Sequence, residues 1–190
     1  LRPLLQQKVT LALGPSGTGK STLLETLSAV AKPSSGEIFF RGQKIGVDIP
    51  LLQYRRRLAM VLQEPLLFDT TVYNNVASGL KIRGMKRDEI EPIVGKALER
   101  FGIAHLRDRS ARTLSGGEAR RASIARAFAT NPEVLLLDEP NEGLAPLMVS
   151  SVIEAIININ QAGIPILLVE QNLKIPLKIA HRQYVIENGA

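Results

Sequence analysis

The chain has no cysteine, no tryptophan and only two histidines, and aromatic residues fill 4% of its 190 positions. Without cysteine there is neither a disulfide framework nor a thiolate metal site, which suits a reducing cytoplasm. Scarce aromatics argue against the stacking platform that holds single-stranded nucleic acid. No apolar run approaches the ~20 residues a membrane helix needs, and no basic-then-apolar leader opens the chain. What remains, 45% hydrophobic and 22% charged residues, describes a globular domain with a sizeable core. The net charge of +6 has its densest cluster in Arg55-Arg56-Arg57, with further arginines at Arg107, Arg109 and Arg112. It reads as attraction to an anionic ligand or membrane surface rather than as a nucleic-acid site.

The most informative stretch is Gly14-Pro15-Ser16-Gly17-Thr18-Gly19-Lys20-Ser21-Thr22, which fits G-x-x-x-x-G-K-[ST]. Lys8–Leu13 before it reads as a short apolar strand, and Leu23–Leu27 after it continues as a helix. In that context glycines let backbone N–H groups turn around phosphate oxygens, and the helix start adds partial positive charge. Lys20 would reach the β- and γ-phosphates of a nucleoside triphosphate, and the Ser21 hydroxyl would ligate Mg²⁺.

Strand and helix signals alternate along the rest of the chain. Glu37–Phe40 reads as a strand, Leu51–Arg57 as a helix, and Leu58–Leu62 as a strand that Pro65 prevents from continuing. From Thr71 to Phe101 the period turns helical, with Val72, Val76 and Leu80 on one stripe. Ile90, Ile93, Val94, Ala97, Leu98 and Phe101 form a second. Val134–Leu137 and Ile164–Val169 are apolar runs of the kind found in parallel strands covered on both faces. Helices are expected at Val149–Ile159 and Leu173–Ala180, and a last strand at Tyr184–Ile186. The pattern implies an α/β fold with a mainly parallel sheet and an inserted helical lobe.

Two further stretches bear on phosphate chemistry. Val134–Leu137 delivers Asp138 and Glu139 at a strand tip, where Asp138 would hold Mg²⁺ and Glu139 would polarise a water. Leu114-Ser115-Gly116-Gly117-Glu118 forms a capping box for a helix over Ala119–Ala129. That alone means a well-capped helix. Paired glycines at a capped start also make an anion site, so a second phosphate contact, to a nucleotide held by another copy, is expected there.

Taken in order, Gly14–Thr22, Gln63, Leu114–Glu118 and Val134–Glu139 resemble the nucleotide-binding subunit of ABC transporters along essentially the whole chain. The resemblance implies a P-loop NTPase fold, with 1–63 and 115–190 as P-loop core and 64–114 as a helical subdomain. It implies ATP and Mg²⁺ as ligands, and hydrolysis with Glu139, Gln63, Gln171 and Lys20 as catalytic residues. Gln63 resembles the glutamine that touches Mg²⁺ and the attacking water. A second ATP-binding subunit, the same or different, would pair head to tail, so that Ser115, Gly116, Gly117 and Glu118 close over ATP on the opposite Lys20. Permease subunits, the helical lobe receiving one of their helices, and a solute-binding protein complete the implied assembly. The chain would then sit peripherally on the cytoplasmic face of the inner membrane, as part of an importer, without nucleic acid.

The family pattern is not followed everywhere. Ala145 stands where the family has an aspartate, and Gln171 where it has a switch histidine. Together, GLAP at 143–146 and LVEQN at 168–172 resemble ATPases of branched-chain amino acid importers. The stretch from Gln63 to Asp138 resembles those of oxyanion importers such as tungstate. Leu1–Gln7 carries neither the family's first strand pair nor its adenine-stacking aromatic, which implies a truncated start and weaker base recognition. These departures keep open a second reading, a nucleotide-binding module with weak hydrolysis.

Overall fold

The structure is a computed structural model, and it describes residues 8–171 and 179–186. Two compact units divide the chain. The first takes 1–60, 132–139 and 163–190, and the second takes 61–131 and 140–162.

The first unit is built on a five-stranded sheet ordered β4-β5-β6-β1-β7, with β1 at Val9–Leu13, β4 at Leu58–Val61, β5 at Val134–Asp138, β6 at Ile166–Glu170 and β7 at Arg182–Val185. β1 lies parallel to both β6 and β7, and β5 parallel to β6. All five residues of β1 and of β5 are buried, which is why they read as continuous apolar runs rather than alternating ones. Ala12, Leu24, Phe40, Ile49, Tyr54, Leu58, Val134, Leu136 and Val169 form one core cluster. Within it Phe40 meets Tyr54 edge to face, ring centroids 5.4 Å apart. Helix α1 (Lys20–Leu27) follows the loop after β1. Helix α2 (Leu51–Arg57) buries only Tyr54, whose hydroxyl donates to Leu27 O at 2.6 Å and whose pKa burial pushes up to about 12. The three arginines in its last turn complement the helix dipole.

Several expected elements shift. The strand expected over Glu37–Phe40 shortens to β2 (Phe39–Phe40), paired antiparallel with β3 (Gln43–Lys44) in a separate hairpin. Arg41 and Gly42 both take positive φ, 52° and 82°, as a tight two-residue turn demands. β6 begins two residues later than its apolar run, and β7 begins at Arg182 rather than Tyr184. The helix expected over Leu173–Ala180 falls outside the described residues, apart from Ile179 and Ala180, as does Leu1–Gln7.

The second unit is helical: α3 (Val72–Ile82), α4 (Arg87–Arg100), α5 (Gly116–Ala129) and α6 (Pro146–Gln161). The two expected stripes supply its core, with Val72, Val76 and Leu80 of α3 and Ile90, Val94, Ala97 and Leu98 of α4 buried, while Ile93 of the second stripe is only half-buried. Phe101 closes edge to face on Phe128, centroids 5.4 Å apart. α5 packs on α3, α4 and α6. For that reason α5 and α6 cluster with the inserted helices, whereas the sequence reading placed everything from 115 onward with the sheet. The basic residues that precede α5 are ion-paired: Arg107 with Glu91 at 2.5 Å and Arg112 with Asp69 at 2.6 Å, both on the surface.

Candidate ATP site

In the first unit the parallel register sets the site. Leu13 pairs with Glu170, and Asp138 pairs with Val169. Gly14, Asp138, Glu139 and Gln171 therefore sit within one residue of the same level, at the carboxyl edge of β1, β5 and β6. That edge is where open α/β sheets hold ligands. A Cβ at Gly14 would meet Thr18 Oγ1 at 2.7 Å and collide with Ile186 O, so the loop can leave β1 only with glycine there. Gly19 caps α1 at φ 88°, with no side-chain cap and no heavy atom within 4 Å of a would-be Cβ. The first-turn N–H groups of α1 are thus left to an outside acceptor.

Lys20 is only 4% exposed. Its ammonium donates to Gly14 O and Pro15 O, each at 2.7 Å, and stands 3.5 Å from Glu139 Oε1. Glu139 takes φ 43°, a left-handed conformation that a non-glycine residue adopts at a cost of about 1–3 kcal/mol. Three contacts hold it there: Lys20, the Glu139 N–H bond to Val169 O at 2.9 Å, and the Gln171 amide. Gln171 Nε2 donates to Glu139 Oε1 at 2.9 Å and to Oε2 at 2.7 Å. The amide at the family's switch-histidine position is thus bonded to both oxygens of Glu139.

Asp138 is buried, and its Oδ1 has no hydrogen-bond partner. Burial holds its carboxyl above the ordinary range, with the charge of Glu139 adding to the effect and a hydrogen bond from Ser21 opposing it. Among the described residues no three His, Cys, Asp or Glu side chains cluster as a metal cage. One carboxylate with an orphan oxygen beside one serine hydroxyl fits Mg²⁺, which takes one or two protein ligands and completes its shell from phosphate and water.

The second unit carries Gln63 and the Ser115 turn. Ser115 caps α5: its N–H and its hydroxyl donate to Glu118 Oε2, at 2.7 and 2.9 Å, and Glu118 N–H returns to Ser115 Oγ at 3.4 Å. These bonds from Ser115 hold the Glu118 carboxyl below the usual carboxylate range. Glu118→Ala is expected to cost about 0.3–1.5 kcal/mol, read as a lower melting temperature. Because the folded-state pKa of Glu118 is depressed, its contribution is present at neutral pH and lost as pH falls through that folded-state value. The wild-type and variant melting curves should converge there. Gly117 differs from expectation. It is buried, and a Cβ on it would collide with Met148 Sδ of α6, so this glycine is required by helix packing as well as by any anion. Ala145 stands at the N-cap of α6 with no side-chain bond, and Pro146 at the first helical position has no N–H to satisfy. Gln63 is exposed, and its amide donates to Glu142 Oε2.

The sequence matches the ABC transporter family over residues 4–142. The chain belongs to the ABC transporter family. This ABC ATP-binding domain is 34% identical to the energy-coupling factor transporter ATP-binding protein EcfA of Methanothermobacter thermautotrophicus, covering 93% of this chain and 58% of that protein. It is 36% identical to the methionine import ATP-binding protein MetN of Carboxydothermus hydrogenoformans, covering 93% of this chain and 54% of MetN. The ABC domain thus spans little more than half the length of these relatives. Its fold superposes with TM-score 0.88 on cbiO1 from Clostridium perfringens, part of the ABC transporter complex cbiONQ, at 34% identity over 97% of this chain and 75% of that one.

Two features escaped sequence reading. Neither Glu142 nor Arg120 belongs to any motif read from the sequence. Arg120 is 3% exposed and donates to Leu62 O at 2.7 Å and to Gln63 O. A basic residue at the third helical position after the glycines, on the face that packs inward, was the available signal.

Proposed function

We propose that this chain binds MgATP, hydrolyses it, and drives solute import as the peripheral ATPase of an ABC transporter. It would work in a head-to-tail pair with a second ATP-binding subunit, on permease subunits served by a solute-binding protein. The single observation that carries the reading is the strand register. It aligns Asp138, Glu139 and Gln171 with the start of the phosphate loop and leaves the Lys20 ammonium 3.5 Å from Glu139. The family match and the likeness to cbiO1 support transport, and the resemblance to the methionine import protein MetN supports import; cargo choice would belong to the membrane partner. Among the described residues no helix is long and apolar enough to cross a membrane, which is consistent with a peripheral role.

Each residue has a task in this reading. The loop 14–22 and the first turn of α1 bind the phosphates, and Lys20 exchanges its loop carbonyls for β- and γ-phosphate oxygens. Ser21 and Asp138 would hold Mg²⁺, which would screen phosphate charge; Gln63 keeps the role that the family resemblance implies for it. Glu139 accepts a proton from the attacking water. Gln171 holds the Glu139 carboxylate through both oxygens and, being a neutral amide, leaves its charge intact. Gly116 and Gly117 supply N–H groups to nucleotide on the partner, with the Ser115 cap holding the helix start that presents them.

The test is Asp138→Asn. Burial raises the folded-state pKa of Asp138, so its ionised form weighs against folding once pH rises above the carboxylate range. The asparagine variant should therefore melt at or above the wild-type temperature at neutral pH without nucleotide. It should also lose Mg²⁺-dependent phosphate release and the thermal stabilisation that MgATP confers on the wild type. Mg²⁺-dependent turnover equal to wild type would remove Asp138, and with it this site, from the reading.

A further inference from the structure

Gln63 lies three residues past the point where the chain leaves the sheet unit, and its carbonyl accepts from a side chain of helix α5. Arg120 Nη1 donates to Leu62 O at 2.7 Å, and Arg120 Nη2 donates to Gln63 O. Six residues further along α5, about 9 Å by helical rise, Arg126 Nη1 donates to Leu66 O at 2.8 Å. Its guanidinium also lies 5.6 Å from the centroid of the Phe68 ring. From α3, buried Asn75 accepts from Phe68 N–H at 2.7 Å and donates to Phe68 O at 3.0 Å. The loop from Leu62 to Phe68 is stitched to the helical unit at both ends. Carbonyl oxygens that would otherwise face solvent or a sheet neighbour are taken by two arginines of one helix.

The geometry points to Arg120 as a positioning residue that makes Gln63 travel with α5, the helix whose N-terminus carries Ser115, Gly116 and Gly117. Both elements of the second unit that address phosphate then move as one body, and displacement of α5 displaces the Gln63 main chain with it. A planar guanidinium suits this role because it spans two successive carbonyls with donors fixed in one plane. Lysine at this place offers a single point of attachment. The inference deepens the ATPase reading and rests on it for the role of Gln63, but the attachment itself is independent of activity.

Two measurements on the full chain decide the matter. Hydrogen–deuterium exchange should show faster exchange over 62–66 in Arg120→Gln, with α5 still protected and Arg120→Lys intermediate. In phosphate-release kinetics, Arg120→Gln should lower kcat by about 100-fold, the scale of a misplaced catalytic group, with KM for ATP near wild type. Arg120→Lys should recover part of that loss. In a Gln63→Ala background, Arg120→Gln should lower kcat no further, because the residue acts through Gln63. Additive losses, or loss of α5 protection together with unchanged exchange at 62–66, would overturn the assignment. If the wild type releases no phosphate with Mg²⁺, the ATPase reading fails instead, and the exchange measurement alone upholds or overturns the tether.

Discussion

Glu139→Gln is expected to reduce steady-state ATP hydrolysis by about 10²–10⁴-fold, the contribution of a positioned general base, while ATP binding persists. The amide keeps the shape of the side chain, so the left-handed backbone at φ 43° and the N–H bond to Val169 O have no reason to change. One amide oxygen can still accept from Gln171. What is lost is the capacity to take a proton from water, together with the negative charge 3.5 Å from Lys20. With cleavage blocked and binding retained, ATP-bound pairs should accumulate, seen as a shift to twice the mass in size-exclusion chromatography with Mg²⁺ and ATP. Turnover at the wild-type rate would take Glu139 out of the mechanism.

Lys20→Ala is expected to act earlier, on binding. The ammonium is buried and charge-assisted bonds of this kind are worth about 1.5–3 kcal/mol each, so ATP affinity should fall about 10–100-fold. Removing Lys20 also leaves the buried carboxylate of Glu139 without its cation. Breaking one side of such a pair typically costs about 3–5 kcal/mol, so the variant should also melt at a lower temperature without nucleotide. Combining Lys20→Ala with Glu139→Gln should restore part of that stability but none of the binding. Equilibrium titration with a fluorescent ATP analogue and thermal melts separate the two effects. Affinity equal to wild type would show that the loop does not hold the triphosphate.

The sequence by itself determined whatever depends on neighbours a few residues apart. The glycine loop between β1 and α1, the capping box from Ser115 to Glu118, and the period-3.6 stripes of α3 and α4 are local patterns, and each takes the local structure read for it. So does the buried run of β5 that presents Asp138 and Glu139. Boundaries were less legible where pairing partners decide them, as in the two-residue strands β2 and β3. Tertiary structure decided the rest, because strand register and helix packing join residues far apart in the chain. Gln171 reaches Glu139 across 32 positions, and Arg120 reaches Gln63 across 57. Glu142 reaches the Gln63 amide across 79. Met148 against Gly117 belongs with these, since only the packing of α6 on α5 gives that glycine a second reason to lack a side chain. A motif names the candidate groups for phosphate. Which side chains hold those groups in place is set by contacts that no local spacing encodes.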